Sequence, residues 1–133
     1  MTEKGGDPLL DLVADTRKIN RDRLKEMLLG RVWLDTDTAT VHLVPEERNQ
    51  KGAKEAVLLA LLGQKALSLL KPEKVVDAMT PKVLEEVTGL KGNTVRPLLK
   101  RLSEEGLIVR RMEGYTIHNA ALHLVGGAIT RKE

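Results

Sequence analysis

The chain has 133 residues, of which 41% are hydrophobic and 31% are charged, with no cysteine and no phenylalanine. This size and composition predict one globular domain, or one domain with a sizeable extension, and argue against a disordered chain. The absence of cysteine excludes disulfides and thiolate chemistry, and no apolar run approaches the ~20 residues that span a bilayer, so we expect a cytoplasmic protein.

Positive charge is concentrated in the second part of the chain. Residues 1–50 carry eight Lys and Arg against ten Asp and Glu, whereas residues 51–133 carry fourteen against nine. Within 91–111 there are six basic residues and two acidic ones. Basic residues gathered on one predicted face are typical of a surface that binds a polyanion. A solvated helix of mixed charge is the plainer interpretation.

The first fifty residues predict two helices followed by a β-hairpin. Asp7 can cap a helix with Pro8 at its first position, and an amphipathic helix is predicted from about Asn20 to Gly30. The apolar stripe of this second helix consists of Leu24, Met27, Leu28 and Leu29. The period then changes to two, which predicts a hairpin with one buried face. The alternating apolar residues are Val32, Leu34, Ala39, Val41 and Leu43.

Two carboxylates at the tip of this hairpin, Asp35 and Asp37, could indicate a metal or catalytic site. Their spacing lacks the glycine and the distant bidentate glutamate of a calcium loop. Asp and Thr are also common turn residues, because they hydrogen-bond to their own backbone, and we favour this interpretation. His42 is expected on the surface, and His118 and His123 are five residues apart, a spacing that does not suit a shared metal on one face of a helix. We therefore predict no metal site and no cofactor.

The sequence of residues 53–70 predicts a helix, the most hydrophobic of those expected in the chain. Its apolar residues cover nearly the whole circumference, so the helix must be buried on more than one side. We expect it to pack on the elements that follow it and on the N-terminal helix and hairpin, so that both parts form one unit. A homodimer seam is the alternative. Gly63 costs ~1 kcal/mol relative to Ala in mid-helix, and we expect it to permit close helix contact there.

Residues 80–118 predict a helix, a tight turn, a second helix and a β-hairpin. Thr80 can cap the first helix with Pro81 at its first position, and Gly89 can end it. The predicted buried residues are Val83, Leu84 and Val87 in the first helix and Val95, Leu98, Leu99 and Leu102 in the second. Gly106 ends the second helix, and residues 107–118 then predict a two-stranded ribbon with its turn at 113–114.

This order of elements resembles the winged helix-turn-helix family of DNA-binding domains. The residues that carry the resemblance are VLEEVTGL, then NTV…LLKRLSEEGLIVRR, then EGYTI. The resemblance implies a mainly α fold with small β (α+β). A winged helix-turn-helix at 51–125 would follow an N-terminal helix and β-hairpin extension at 1–50 and precede a flexible tail at 126–133. It also implies that residues 75–79 pair with the wing, and Asn119 can cap a last short helix at 120–125.

The resemblance further implies that helix 93–105 enters the major groove and that the 107–118 wing lies on the adjacent backbone. The candidates for base reading are Asn93, Thr94, Arg96 and Pro97. The candidates for phosphate contact are Lys91, Lys100, Arg101, Arg110 and Arg111. Pro97 departs from the family pattern, in which a groove-facing polar or basic residue usually occupies this position. If the helix begins at Gly92, Pro97 also lies deep enough to remove an internal hydrogen bond. We therefore expect this helix to start late, capped by Asn93 or Thr94, or to bend near its beginning.

The function implied is that of a transcriptional regulator that binds double-stranded DNA. We expect a homodimer, formed through helix 53–70 or through the N-terminal extension, and no membrane association. The alternative is a winged-helix protein–protein interaction module in a transcription, replication or repair assembly, which Pro97 and the acidic N-terminal part favour. No nucleophile–base pair, paired buried acids or Gly-rich phosphate loop is visible in the sequence, so we predict no enzymatic activity.

Overall fold

The computed structural model describes residues 8–9, 21–47, 52–118, 121–122 and 124–125. Its helices are α1 (Arg21–Leu28), α2 (Ala53–Leu70), α3 (Pro81–Thr88) and α4 (Gly92–Glu104), with a short 3-10 turn at Pro45–Glu47. Its strands are β1 (Val32–Asp35), β2 (Thr40–Leu43), β3 (Ile108–Arg111) and β4 (Gly114–Ile117). β1 pairs with β2 and β3 with β4, both antiparallel, in two separate sheets. The predicted α+β class is confirmed.

The central element is α2, whose bounds agree with the prediction. Its residues from Ala56 to Leu62 are each at most 1% exposed. The helix contacts α1, β1 and β2 as well as α3, α4 and β4, so both predicted sets of neighbours pack on it. The middle of this helix is therefore buried within a single chain. Each fully buried Leu or Val stabilises the fold by roughly 1.5–3 kcal/mol relative to an exposed one.

Gly63 marks the point where the β1–β2 hairpin approaches α2 most closely. A Cβ built on this glycine would lie 2.7 Å from Val41 Cγ1 and 3.1 Å from Val32 Cγ1. No larger residue fits without moving the hairpin, because protein cores are packed at close to crystal density. The element that packs closely on Gly63 is therefore the hairpin and not, as had been expected, another helix.

The hairpin has the predicted alternation. Val32 lies opposite Leu43 and Leu34 opposite Val41, and both β2 residues of these pairs are buried. At the tip, Asp35 Oδ1 accepts hydrogen bonds from the backbone N–H of Asp37 at 3.0 Å and of Thr38 at 3.2 Å. The bonds donated by Thr38 lower the pKa of Asp35 most, followed by the Asp37 N–H and the charge of the nearby His42. The turn interpretation is confirmed, and the described residues contain no group of three His, Cys, Asp or Glu able to hold a metal.

Two residues predicted to be buried are exposed instead. Leu29 is 72% exposed, because α1 ends at Leu28 and the chain turns away through Gly30, which has a φ of +81°. Val83, in the first turn of α3, is 39% exposed. The buried residues of α3 are Leu84 and Thr88. The Thr88 hydroxyl donates to Leu84 O at 2.6 Å and accepts from the Leu90 N–H at 3.2 Å. A hydroxyl satisfied in this way can be buried at little cost.

Several predictions fall on residues that the structure does not describe. The cap at Asp7, the helix after it beyond Pro8 and Leu9, the cap at Asn119 and the tail at 126–133 lie outside the described residues. Leu122, Leu124 and Val125, within the predicted last helix, are helical. Among the described helices, none combines the length and the apolar character required to cross a bilayer.

Candidate nucleic-acid interface

α3 and the turn after it are fixed by the residues that the sequence singled out. The Thr80 side chain accepts a hydrogen bond from the Val83 N–H at 3.3 Å, and Pro81 occupies the first helical position. Gly89 ends the helix in the left-handed conformation, with a φ of 77°, and donates its N–H to Glu85 O at 2.9 Å. Glycine is the residue that adopts this conformation without strain. The predicted cap and stop are confirmed.

α4 begins earlier than expected. Its cap is Lys91, whose carbonyl accepts from the N–H groups of Thr94 and Val95, each at 2.9 Å. The expectation of a late start at Asn93 or Thr94 is therefore wrong. Val95 is fully buried, so the first turn must already be helical to hold it in phase with the buried leucines of α4. As a consequence, Pro97 is the sixth residue of the helix and deprives the Asn93 carbonyl of its usual donor four residues on.

The outer face of α4 and the wing present every residue that was predicted to contact DNA. All nine are exposed: Lys91, Asn93, Thr94, Arg96, Pro97, Lys100, Arg101, Arg110 and Arg111. At about 100° per residue, Asn93, Pro97 and Lys100 lie along the centre of the face opposite the buried stripe. Glu104 continues the same line, so the uncharged and basic part of this face belongs to the N-terminal half of the helix.

The β3–β4 ribbon is attached to the rest of the fold by a second backbone contact. Met79 pairs with Tyr115 through two hydrogen bonds, from Met79 N to Tyr115 O at 2.9 Å and from Tyr115 N to Met79 O at 2.8 Å. Of the predicted segment 75–79, Met79 therefore pairs with the ribbon, as an isolated bridge and not as part of a strand. Gly114, with a φ of +132°, pairs with Arg111, so the turn lies at 112–113 and not at 113–114. A Cβ on Gly114 would overlap the Met79 carbonyl, which leaves glycine as the residue that fits.

A cleft of about 360 Å³ brings the two basic elements together. Arg96 of α4 lines it from one side, and Arg110 and Arg111 of the wing line it from the other. Thr80 and Tyr115 are further lining residues. Guanidinium and hydroxyl groups suit the oxygens of a phosphate group, and residues that carry them meet around this one concave space. The sequence indicated each arginine separately, and the fold places them around a common space.

Beneath the wing, a buried lysine pairs with a half-buried aspartate. Lys65 is 1% exposed, and its Nζ lies 2.9 Å from Asp77 Oδ2. The other carboxylate oxygen of Asp77 lies 4.0 Å from Arg111 Nη1. Burial alone would raise the pKa of Asp77, but the hydrogen bond and charge of Lys65 and the charge of Arg111 outweigh it and lower that pKa. Sequence reasoning missed this pair. The available signal was a single lysine in the middle of the most apolar helix.

A second, larger cleft of about 490 Å³ lies between β2 and α3. The exposed Val83 and the half-buried Val87 supply apolar lining. Glu86 and Glu113 supply carboxylates, and His42 borders the cleft from β2. This cleft combines apolar surface with negative charge, whereas the cleft between α4 and the wing is basic. The two clefts therefore suit different ligands.

Comparison of the chain with protein-family models, curated proteins and solved structures finds no match. The case for any function consequently rests on the residues and the geometry described above.

Proposed function

We propose that this chain is a double-stranded DNA-binding protein, acting as a transcriptional regulator with a winged helix-turn-helix at residues 51–125. One observation carries the proposal. Arg96 on α4 and Arg110 and Arg111 on the β3–β4 ribbon line one exposed cleft. A helix face and an adjacent basic ribbon form the surface that a duplex requires, since one element enters a groove while the other contacts the neighbouring backbone.

In this proposal α4 enters the major groove. Its thirteen residues make a rod about 20 Å long, and the major groove is wide enough to admit an α-helix. Arg96 is the best candidate to donate two hydrogen bonds to guanine O6 and N7, and Asn93 the best candidate for adenine. Thr94 and Pro97 would lie against base edges beside them. Because Pro97 donates no hydrogen bond, base readout on the central line of the face would be sparse.

Phosphate contacts would supply most of the affinity. The candidates are Lys91, Lys100, Arg101, Arg110 and Arg111, all of which are exposed. Five such contacts predict a slope of about −4 to −5 in a plot of log affinity against log salt concentration for each monomer. Arg111 is also near Asp77, so its contribution to that slope should be the smallest of the five.

The regulator would act as a homodimer, as proteins that recognise palindromic sites do. Since the middle of α2 is buried within the chain, we look for the dimer surface at the end of this helix and on the N-terminal elements. An apolar groove of about 390 Å³ lies there between α1, β1 and α2. Leu29 and Leu70 border it and are 72% and 53% exposed. Exposed apolar surface of this kind marks interaction sites more often than isolated leucines do.

A protein-interaction module is the second candidate, and the cleft between β2 and α3 favours it. A basic amphipathic segment of a partner protein would complement its valines and its glutamates, Glu86 and Glu113. In that case the winged helix would serve an assembly in transcription, replication or repair, and the basic face of α4 would contribute charge without entering a groove. This candidate predicts no salt-dependent affinity for duplex DNA.

Fluorescence anisotropy with a labelled random-sequence duplex at two salt concentrations tests the proposal. The test variant replaces Arg96, Lys100 and Arg101 with alanine. The matched control replaces three exposed basic residues elsewhere, Arg23, Lys54 and Lys74, none of which lines the apolar groove, so that both variants lose the same formal charge.

We expect the wild type and the control to bind with a steep salt dependence and the test variant to lose most of its affinity. Equal losses of affinity in the two variants would show that binding depends on net charge alone and not on the face of α4. No binding by the wild type at low salt would reject DNA binding and favour the interaction module.

A further inference from the structure

Met112 is the most exposed apolar side chain among the described residues, with a relative exposure of 101%. The two other methionines in the described part of the chain, Met27 and Met79, are 1% and 3% exposed. Single exposed apolar residues are common on protein surfaces, so exposure by itself assigns no role. The position of Met112 in the fold is what distinguishes it.

Met112 occupies the turn at the tip of the wing, directly after Arg110 and Arg111. It also lines the basic cleft that Arg96 shares with the wing. The tip therefore combines one apolar side chain with the guanidinium groups that would hold phosphates beside it. Proteins that kink DNA use this combination, in which basic residues follow the backbone while an apolar side chain enters between two base pairs from the minor groove.

The base of the wing is held rigidly, as a wedge requires. Two backbone hydrogen bonds join Met79 to Tyr115, and the ladder from Ile108–Ile117 to Arg111–Gly114 runs up to the turn. The absence of a Cβ at Gly114 lets the Met79 backbone pass directly beneath the tip. The backbone of such a short, anchored ribbon loses little freedom on binding, so insertion has to order only the Met112 side chain and not the element that carries it.

We propose that Met112 is a wedge that inserts at a base step in the minor groove beside the α4 site and kinks the duplex there. This inference rests on the proposed DNA-binding function and adds a residue and a mode of recognition to it. The unbranched thioether adapts to an irregular gap. Pyrimidine–purine steps unstack most easily, so the wedge selects flexible steps such as TA without reading base edges.

The experiment uses the full chain and two variants, Met112→Leu, which keeps an apolar wedge, and Met112→Gln, which keeps the length and makes it polar. Duplexes carry either a central TA step or an A-tract, with a fluorescent adenine analogue at the step and a donor–acceptor pair at the ends. We expect wild type and Met112→Leu to prefer the TA duplex, to raise the analogue's emission and to shorten the end-to-end distance. Met112→Gln should bind the TA duplex about tenfold more weakly and lose both optical changes.

The failure of this inference is distinguishable from the failure of the proposed function. If wild type binds no duplex, DNA binding itself fails. If Met112→Gln binds, unstacks and bends DNA as wild type does, the wedge is overturned while DNA binding stands. Wild type that binds anionic lipid vesicles in a manner dependent on Met112, with no optical change on DNA, would make the tip a membrane contact and would also overturn the wedge.

Oxidation provides a second measurement without a mutation. Hydrogen peroxide transfers one oxygen to a thioether sulfur and leaves water, which makes the side chain polar. Met27 and Met79 are protected by burial, and Met112→Leu serves as the control for any effect at other methionines. Peroxide should abolish the TA preference of wild type and leave that of Met112→Leu intact, and methionine sulfoxide reductases should restore it. An equal response of the two proteins would contradict the wedge.

Discussion

Replacing Asp77 with alanine should destabilise the fold more than any exposed substitution, because it leaves a buried ammonium group without its partner. Lys65 is 1% exposed, and Asp77 Oδ2 is 2.9 Å from its Nζ. Breaking a buried ion pair by removing one member costs roughly 3–5 kcal/mol. The Asp77 side chain is 29% exposed, so water partly reaches the site. We therefore expect a loss of about 3 kcal/mol in the free energy of unfolding.

Lys65→Met should cost far less than Asp77→Ala, since it removes the buried charge and keeps an unbranched apolar side chain. Replacing buried ionic groups by apolar residues of similar shape is often neutral, so we expect a change within about 1 kcal/mol. In the Lys65→Met background, Asp77→Ala should likewise cost about 1 kcal/mol or less, because no ammonium remains to be left unpaired. The double-mutant cycle therefore predicts a coupling of about 2 kcal/mol.

Urea unfolding of the four proteins, followed by circular dichroism, measures the cycle. A loss for Asp77→Ala that is the same in both backgrounds would refute the reasoning, because the cost would then come from somewhere other than Lys65. The pH dependence gives an independent check. Since the folded-state pKa of Asp77 is lowered below the ordinary 3.8, its contribution is complete above that value and is lost as the pH falls through the folded-state pKa. Wild type should lose more stability in acid than Asp77→Ala does.

Five further substitutions, one of them a control, test the core and the interface. Leu99→Ala should lower the free energy of unfolding by about 2–5 kcal/mol in urea titrations, and a variant as stable as wild type would contradict the burial of this face. Gly114→Ala should lower the free energy of unfolding by roughly 2–5 kcal/mol, because the new Cβ overlaps the Met79 backbone. Gly106→Ala has a φ of +81° but open space around it, so it should lower that free energy by only about 1 kcal/mol. Equal shifts of the melting temperature in the two variants would show that overlap with the backbone is not the cause. Pro97→Ala should stabilise the chain by about 2 kcal/mol, since it restores a helical N–H and loses only some restraint on the unfolded state; thermal unfolding measures this. Arg96→Ala should weaken binding to a selected duplex by about 1–3 kcal/mol and flatten sequence preference, and an unchanged binding profile would remove Arg96 from base reading.

Local chemistry was enough to predict most of the secondary structure from the sequence. Thr80 and Gly89 define α3 because a capping hydroxyl and a left-handed glycine act within a few residues of the helix ends. Asp35 closes its turn for the same reason, through its own neighbours. The bounds of α2 followed from its long apolar run and the buried leucines of α4 from periodicity, both of which are local properties of the sequence.

The tertiary structure decided what depends on residues distant in sequence or on competition between neighbours. α4 starts at Gly92 in spite of Pro97, because the burial of its apolar face outweighs one missing hydrogen bond. Lys65 meets Asp77 only because the chain between α2 and α3 folds back on the helix, and no periodicity reports such a contact. The cleft that gathers Arg96, Arg110 and Arg111 arises in the same way. The resemblance implied that segment 75–79 pairs with the ribbon, but only the structure shows that Met79 pairs with Tyr115 and that the three arginines line one space.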